Sequence, residues 1–251
     1  MSIVAIIPAR MASSRFPGKP LKQIFGLSMI EHVRRRTSLC KVIDKVIVAT
    51  CDKIIFNEVE SHGGDVIMTS DCHDSCIDRI AEAASGLDAN IIINVQGDMP
   101  LVKPDSLVEL IQPLLQDITL HYTDMIAPIT KKSDILNPNI VKVVFNSTNC
   151  AIYYSREAIP SMKKTKEQHS IFMQLGVNAF RKISLIYFTN LQRTPLEKIE
   201  SVDMLRLIEN NIEVNTVSVP EPVLGVDTQE DLERVRDLMI KDTIFPKYSE
   251  Q

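Results

Sequence analysis

The stretch Ile3-Val4-Ala5-Ile6-Ile7-Pro8-Ala9-Arg10-Met11-Ala12-Ser13-Ser14-Arg15-Phe16-Pro17-Gly18-Lys19-Pro20 runs an apolar strand straight into a loop that carries Arg10, Arg15 and Lys19. No acidic side chain in the stretch offsets them. Residues 3–7 form an unbroken β-rich apolar run, the pattern of a parallel strand covered on both faces. Open α/β sheets bind ligands beyond the carboxyl ends of their strands. Arg grips phosphate by a bidentate fork and Lys acts as a point charge. The stretch therefore points to a nucleoside triphosphate site, with a solvated basic loop on an ordinary first strand as the alternative.

Beyond this stretch strands and helices alternate. Ser28-Met29-Ile30-Glu31 reads as a capping box opening a helix, with Glu31 reaching back to the cap amide. Arg34, Arg35 and Arg36 read as the solvated end of that helix. Val46-Ile47-Val48-Ala49 is a second strand, Asp52 caps the next helix, and Gly63-Gly64 ends it. Val66-Ile67-Met68 is a short third strand. Ser75 and Asp78 start another helix, and Ile91-Ile92-Ile93-Asn94-Val95 is a fourth strand that delivers Gln96-Gly97-Asp98. Pro104 opens a helix to about Gln116, which Pro113 is expected to kink or shorten. Strand–helix alternation of this length predicts a mostly parallel α/β sheet with helices on both faces.

After residue 120 the rhythm changes. Met125–Ile129, Ile140–Phe145 and Ala151–Tyr154 read as strands with little helix between them, and 146–149 as a turn. A β-rich insertion at about 123–190 is expected within one domain, 1–251. Residues 161–170 are polar and lysine-rich, a loop pattern. Pro195 to Asn211 reads as one amphipathic helix, and Val214 to Val219 as a strand. Asp227 stands as an N-cap acid on the last helix, and a tail begins at about Thr243.

The 251 residues are 45% hydrophobic and 24% charged, enough for a sizeable core. A net charge of −4 argues against a general nucleic-acid or anionic-membrane surface. No apolar run reaches the roughly 20 residues of a membrane span. The first strand begins almost at once, so we expect no signal peptide and a cytoplasmic protein. Five cysteines without a repeated spacing fit reduced thiols. Cys72-His73 with Cys76 lacks a second ligand pair for zinc, and the cysteines read as small core residues.

Two acids follow strands at the ligand edge, Asp98 and Asp227. Mg²⁺ binds through one or two carboxylates plus phosphate oxygens. Asp98 in its tight loop is a candidate ligand; Asp227 is either a second ligand or only a helix cap. Neither a G-x-x-x-x-G-K-[ST] loop nor a G-x-G-x-x-G fingerprint occurs. A G-x-S-x-G elbow is missing too. P-loop, classical dehydrogenase and serine-hydrolase chemistry lose weight accordingly.

The motif Pro8-Ala9-Arg10-x-x-Ser13-x-Arg15-x-Pro17-Gly18-Lys19-Pro20 resembles the opening of sugar nucleotidyltransferases. The collinear set that follows is similar to the CMP-Kdo synthetases (3-deoxy-manno-octulosonate cytidylyltransferases). It comprises Ala49-Thr50, Ser75 with Asp78-Arg79, Asn94-Val95-Gln96-Gly97-Asp98, Asn137-Pro138-Asn139-Ile140-Val141-Lys142, Tyr153-Tyr154-Ser155-Arg156, Pro195-Leu196-Glu197, Leu205-Arg206 and Gly225-Val226-Asp227-Thr228. The resemblance implies the nucleotide-diphospho-sugar transferase fold. It also implies attack of an acidic sugar's anomeric hydroxyl on the α-phosphate of CTP, releasing pyrophosphate and a CMP-sugar for lipopolysaccharide biosynthesis. By this resemblance Arg10, Lys19 and Asp98 are catalytic. Ala9, Arg10, Ser13, Arg15, Lys19, Arg79 and Gln96 bind the nucleotide. Asp98 and Asp227 hold Mg²⁺. Arg156, Gln174, Asn178 and Asp203 meet the acidic acceptor, and the protein is a homodimer.

The departures from the family pattern cluster. H-x-S-G-T-[ED]-R reads His73-Asp74-Ser75-Cys76-Ile77-Asp78-Arg79, and His-x-Gly-x-Tyr reads Gln174-Leu175-Gly176-Val177-Asn178. Q-G-D-E-P has Met99 in place of Glu, and L-E-Q-L-R reads Val202-Asp203-Met204-Leu205-Arg206. A site built to hydrogen-bond one substrate rejects an analogue by roughly 10⁴-fold. The acceptor is therefore Kdo, a related keto-sugar acid or another anionic metabolite. A paralogue that binds CTP without turnover is the non-enzymatic alternative.

Overall fold

The computed structural model describes residues 1–12, 16–73, 75–164 and 169–249. The chain divides into two compact units, Met1–Val108 with Val223–Gln251, and Glu109–Pro222.

In the first unit, strand β1 (Ile3–Ala9) is buried at every residue, as its unbroken apolar run predicts. After a single 3₁₀ turn at Lys19–Leu21 come the short strands β2 (Gln23–Ile24) and β3 (Leu27–Ser28) and helix α1 (Met29–Ser38). Strand β4 (Lys45–Thr50), helix α2 (Lys53–Ser61), strand β5 (Asp65–Met68), helix α3 (Cys76–Ser85) and strand β6 (Ile91–Asn94) follow, and then helix α4 (Pro104–Gln116), whose residues from Glu109 on belong to the second unit. Strand β1 pairs in parallel with β4 and β6, and β5 lies beyond β4. Because the four strands run the same way, the loops after Ala9, Thr50, Met68 and Asn94 open at one edge, where α/β ligands bind.

Several local expectations are corrected here. Ser28 makes no side-chain cap bond, and its Oγ is buried without a partner. Glu31 is fully buried and accepts instead from Arg34 at 2.7 Å and from Arg35 at 3.1 Å. Arg35 and Arg36 are buried, not solvated. Arg36 donates to the Val102 carbonyl at 2.9 Å and pairs with Asp242. Asp52 is not a side-chain cap; its carboxylate accepts the Met11 amide at 2.7 Å and so ties down the opening loop. Helix α4 ends at Gln116, as expected, with Pro113 in its last turn. Cys40 is buried, but Cys72 and Cys76 are exposed; the helix start puts Cys76 on the surface and turns Ile77 into the core.

The second unit holds strand β7 (Tyr122–Pro128), helix α5 (Lys132–Ile135), strands β8 (Lys142–Phe145), β9 (Ala151–Ser155) and β10 (Phe172–Arg181), helices α6 (Lys182–Asn190), α7 (Pro195–Glu200) and α8 (Leu205–Glu209), and strand β11 (Asn215–Ser218). It contains the β-rich segment 123–190. Strand β7 is flanked by antiparallel β10 and parallel β11; β8 pairs antiparallel with β10 and with β9. The single helix expected over 195–211 is two. The chain breaks at Ser201 (φ +52°), and Glu197 is buried against Arg206 at 2.6 and 2.8 Å. Pairing those two charges inside the unit needs α8 folded back on α7, which one straight helix forbids. Of the expected 161–170 loop, residues 165–168 lie outside the described residues.

The chain returns to the first unit with helix α9 (Gln229–Ile240). Its N-cap is Thr228, which forms a capping box with Asp231, so Asp227 is not the cap. Past Thr243 the chain is no loose tail. A 3₁₀ turn at Phe245–Lys247 delivers Tyr248, fully buried, to His32 Nδ1 at 2.9 Å. His32 Nε2 donates to the Ile24 carbonyl at 2.7 Å, which makes Nδ1 the acceptor of the tyrosine hydroxyl. No helix among the described residues is long and apolar enough to cross a membrane.

Candidate active site

Three loops of the first unit meet around one ammonium group. Strand β1 hands the chain to Arg10 and then to Gly18, whose φ of +69° only glycine adopts without strain and which sets the 3₁₀ turn bearing Lys19. Strand β6 hands it to Gln96, Gly97 and Asp98. A Cβ at Gly97 would stand 2.9 Å from the Pro8 carbonyl, so glycine is what lets the two strand ends close up. The Asp98 carbonyl accepts the Val226 amide at 2.9 Å, which draws Asp227 alongside. Lys19 Nζ then donates to Asp98 Oδ2 at 2.6 Å and to Asp227 Oδ1 at 3.2 Å. Burial alone would lower the Lys19 pKa; the two carboxylates outweigh it and raise it above the ordinary lysine value.

Beside this centre is a cavity lined by Pro8, Ala9, Arg10, His73, Ser75, Cys76 and Arg79. Arg79 is buried and donates to the Thr69 hydroxyl and to the Ser70 carbonyl at 3.0 Å. Ser75 caps α3 by accepting the Asp78 amide at 3.2 Å. Gln96 Nε2 lies 3.4 Å from Asn94 Oδ1. Thus Ala9, Arg10 and Arg79 share one cavity, and Lys19, Asp98 and Asp227 share one contact. Ser13 and Arg15 lie outside the described residues.

The four acceptor-side candidates belong to the second unit. Gln174 and Asn178 both donate to Asp124. Arg156 donates to the carbonyls of Pro138 (2.9 Å), Glu200 (2.5 Å) and Ser201 (3.3 Å). The Asp203 carbonyl accepts the Arg206 amide at 3.1 Å in the first turn of α8.

A cytidylyltransferase family model matches residues 4–216. The chain belongs to the cytidylyltransferase family. A 3-deoxy-manno-octulosonate cytidylyltransferase of Syntrophotalea carbinolica is 40% identical over 243 residues, covering 94% of this chain and 97% of its own. One of Fusobacterium nucleatum is 38% identical over 245 residues, covering 97% and 99%. Among solved structures, a CMP:2-keto-3-deoxy-manno-octonic acid synthetase complexed with CTP superposes with a TM-score of 0.91 at 36% identity, covering 96% of this chain and 99% of that one.

Within this cytidylyltransferase, two residues that the sequence did not single out shape the site of the first unit, and a third gathers Gln174 and Asn178 in the second unit. Asp52 anchors the opening loop through Met11. Glu82 accepts the Ser70 amide at 3.0 Å and pairs with His73, so it holds the strand-end loop that rims the cavity. The third is Asp124, fully buried, which also accepts the Tyr154 hydroxyl at 2.7 Å. Burial pushes its pKa up to about 7, against the three hydrogen bonds that favour the charged form. No pattern marked these acids: Asp52 finds its partner in the opening loop, Glu82 reaches back to the loop before its helix, and Asp124 meets its partners on other strands. Of the family departures, Cys76 lines the cavity while Ile77 and Met99 are buried in the core.

Proposed function

We propose that this nucleotidyltransferase activates 3-deoxy-manno-octulosonate with CTP, giving CMP-Kdo and pyrophosphate. The observation that carries it is the convergence of Lys19, Asp98 and Asp227 at the sheet edge, next to the cavity that Arg10 and Arg79 line. The names of relatives matched over nearly their whole length supply the acceptor. In this reading Arg10 and Lys19 hold the triphosphate, each charge-assisted bond worth about 1.5–3 kcal/mol. Ala9, Arg79 and Gln96 serve the nucleoside side.

The carboxylates of Asp98 and Asp227 fit Mg²⁺. They are two hard oxygen donors from separate loops that already converge on one cationic group, and Mg²⁺ takes one or two protein carboxylates when phosphates complete its shell. When bound, Mg²⁺ would neutralise charge on the phosphates. Lys19 remains the protein's own cation at that point and orients the triphosphate for in-line displacement.

A cytoplasmic setting is supported by five free thiols. A second copy as partner is supported by α6, which exposes Ile183, Ile186 and Tyr187 at helical spacing on the second unit. Light scattering on Ile183→Asp with Tyr187→Ser tests this: a dimer that becomes a monomer supports it, and an unchanged mass rejects that face.

The activity is tested by pyrophosphate release from CTP, Mg²⁺ and 3-deoxy-manno-octulosonate. Release dependent on all three is the expected result. Release only with a different anionic acceptor would reassign the second substrate, and CTP binding without release to any acceptor would make the chain a non-catalytic binder.

A further inference from the structure

Asp124 lies within β7 with its carboxylate fully buried, and its donors are all neutral: the Tyr154 hydroxyl, the Gln174 amide and the Asn178 amide. The backbone makes this convergence. On β10, Gln174 is opposite Ile126 and Asn178 is opposite Asp124, so four residues of β10 span two of β7. Gly176, at φ +72°, lies within the bulge. Without the bulge the two amides would be spread along the strand instead of meeting on one side chain.

A carboxylate accepts hydrogen bonds and an amide offers one end that donates and one that accepts. Both NH₂ groups therefore face Asp124, which decides the orientation that an amide on its own leaves open. Gln174 is half-buried, and its carbonyl oxygen is turned away from Asp124.

We propose that Asp124 is a positioning residue of the acceptor site: it holds the Gln174 and Asn178 amides by their NH₂ groups and so presents the Gln174 carbonyl oxygen as a fixed hydrogen-bond acceptor for a hydroxyl of the sugar acid. This rests on the reading of Gln174 as an acceptor-side residue. A fixed acceptor favours a hydroxyl donor and rejects an analogue that lacks it.

Steady-state kinetics on the full chain tests it. Asp124→Asn, nearly isosteric, supplies an NH₂ of its own and turns an amide round. The acceptor KM should rise about tenfold or more, with the CTP KM within about twofold of wild type. Gln174→Leu should do the same, and the double variant should be no worse than either single. Tyr154→Phe keeps both amide contacts and should leave the acceptor KM near wild type even where it lowers the melting temperature. If Asp124→Asn does not fold, Asp124→Ser takes its place with the same readings. An unchanged acceptor KM in Gln174→Leu, an equal rise in the CTP KM, or multiplicative effects in the double variant would each overturn the inference. A wild type without turnover on 3-deoxy-manno-octulosonate would overturn the activity reading as well, so the two failures are told apart by the wild-type rate.

Discussion

Lys19 and Asp227 are 208 residues apart in the chain, yet their side chains meet at 3.2 Å. The contact is held by packing. Phe16, Ile24 and Met29 from the opening region form one buried cluster with Val226, Leu232, Val235 and Met239 around α9. The Val226 amide bonds the Asp98 carbonyl at 2.9 Å and fixes the second carboxylate relative to the first. The cationic loop and both acids are therefore one packed object before any substrate binds.

Removing one acid should stop the chemistry more than the binding. Asp98→Ala is expected to lower pyrophosphate release by about 10²–10³-fold, the range for losing one preorganised charge stabiliser. CTP binding measured without Mg²⁺ should change little. A rate within threefold of wild type would take Asp98 out of the reacting centre.

Asp227 and Thr228 are neighbours with different work, and they should separate experimentally. Thr228→Ala removes the N-cap of α9 and should cost about 1 kcal/mol in urea unfolding. Asp227→Ala leaves that cap in place and should cost turnover and the Mg²⁺ response instead. Equal losses of stability in the two variants would mean that Asp227 is structural.

What was readable from sequence follows from the range of the forces involved. Strands β1 and β6 were plain because every position in them is buried, and a continuous apolar run needs no partner to be identified. Lys19, Asp98 and Asp227 were plain through the family motif, but their mutual contact was not, since the cluster that holds it joins both ends of the chain. Strand β10 was missed because polar Gln174 and Asn178 face a buried acid and the bulge at Gly176 breaks the alternation. Arg35 and Arg36 looked solvated because a charge run usually is; their carbonyl partners and Asp242 come from distant segments.

The buried pair of Arg36 and Asp242 should be a main strut of the C-terminal segment. Asp242→Ala leaves a nearly inaccessible guanidinium without its carboxylate, with the Val102 and Leu101 carbonyls and Tyr248 as its remaining partners. The expected loss is about 3–5 kcal/mol, read as a lower urea midpoint with an unchanged slope. A loss under about 1 kcal/mol would show that the segment is held by Tyr248 and Phe245 alone.

His32 and Asp124 should tilt the pH dependence of stability in opposite directions. Burial lowers the His32 pKa to about 4 from 6.5, so the unfolded chain binds more protons there and stability rises as pH goes from about 4 to 6.5. Burial raises the Asp124 pKa to about 7 from 3.8, so the folded chain binds more protons and stability falls as pH rises across nearly the same window. Each effect is worth about 3–4 kcal/mol, and in the intact protein they largely offset one another. His32→Gln should therefore show stability falling between pH 4 and 6.5, and Asp124→Asn should show it rising. Urea midpoints collected across that range decide it: curves for both variants running parallel to wild type would mean that neither group titrates with folding.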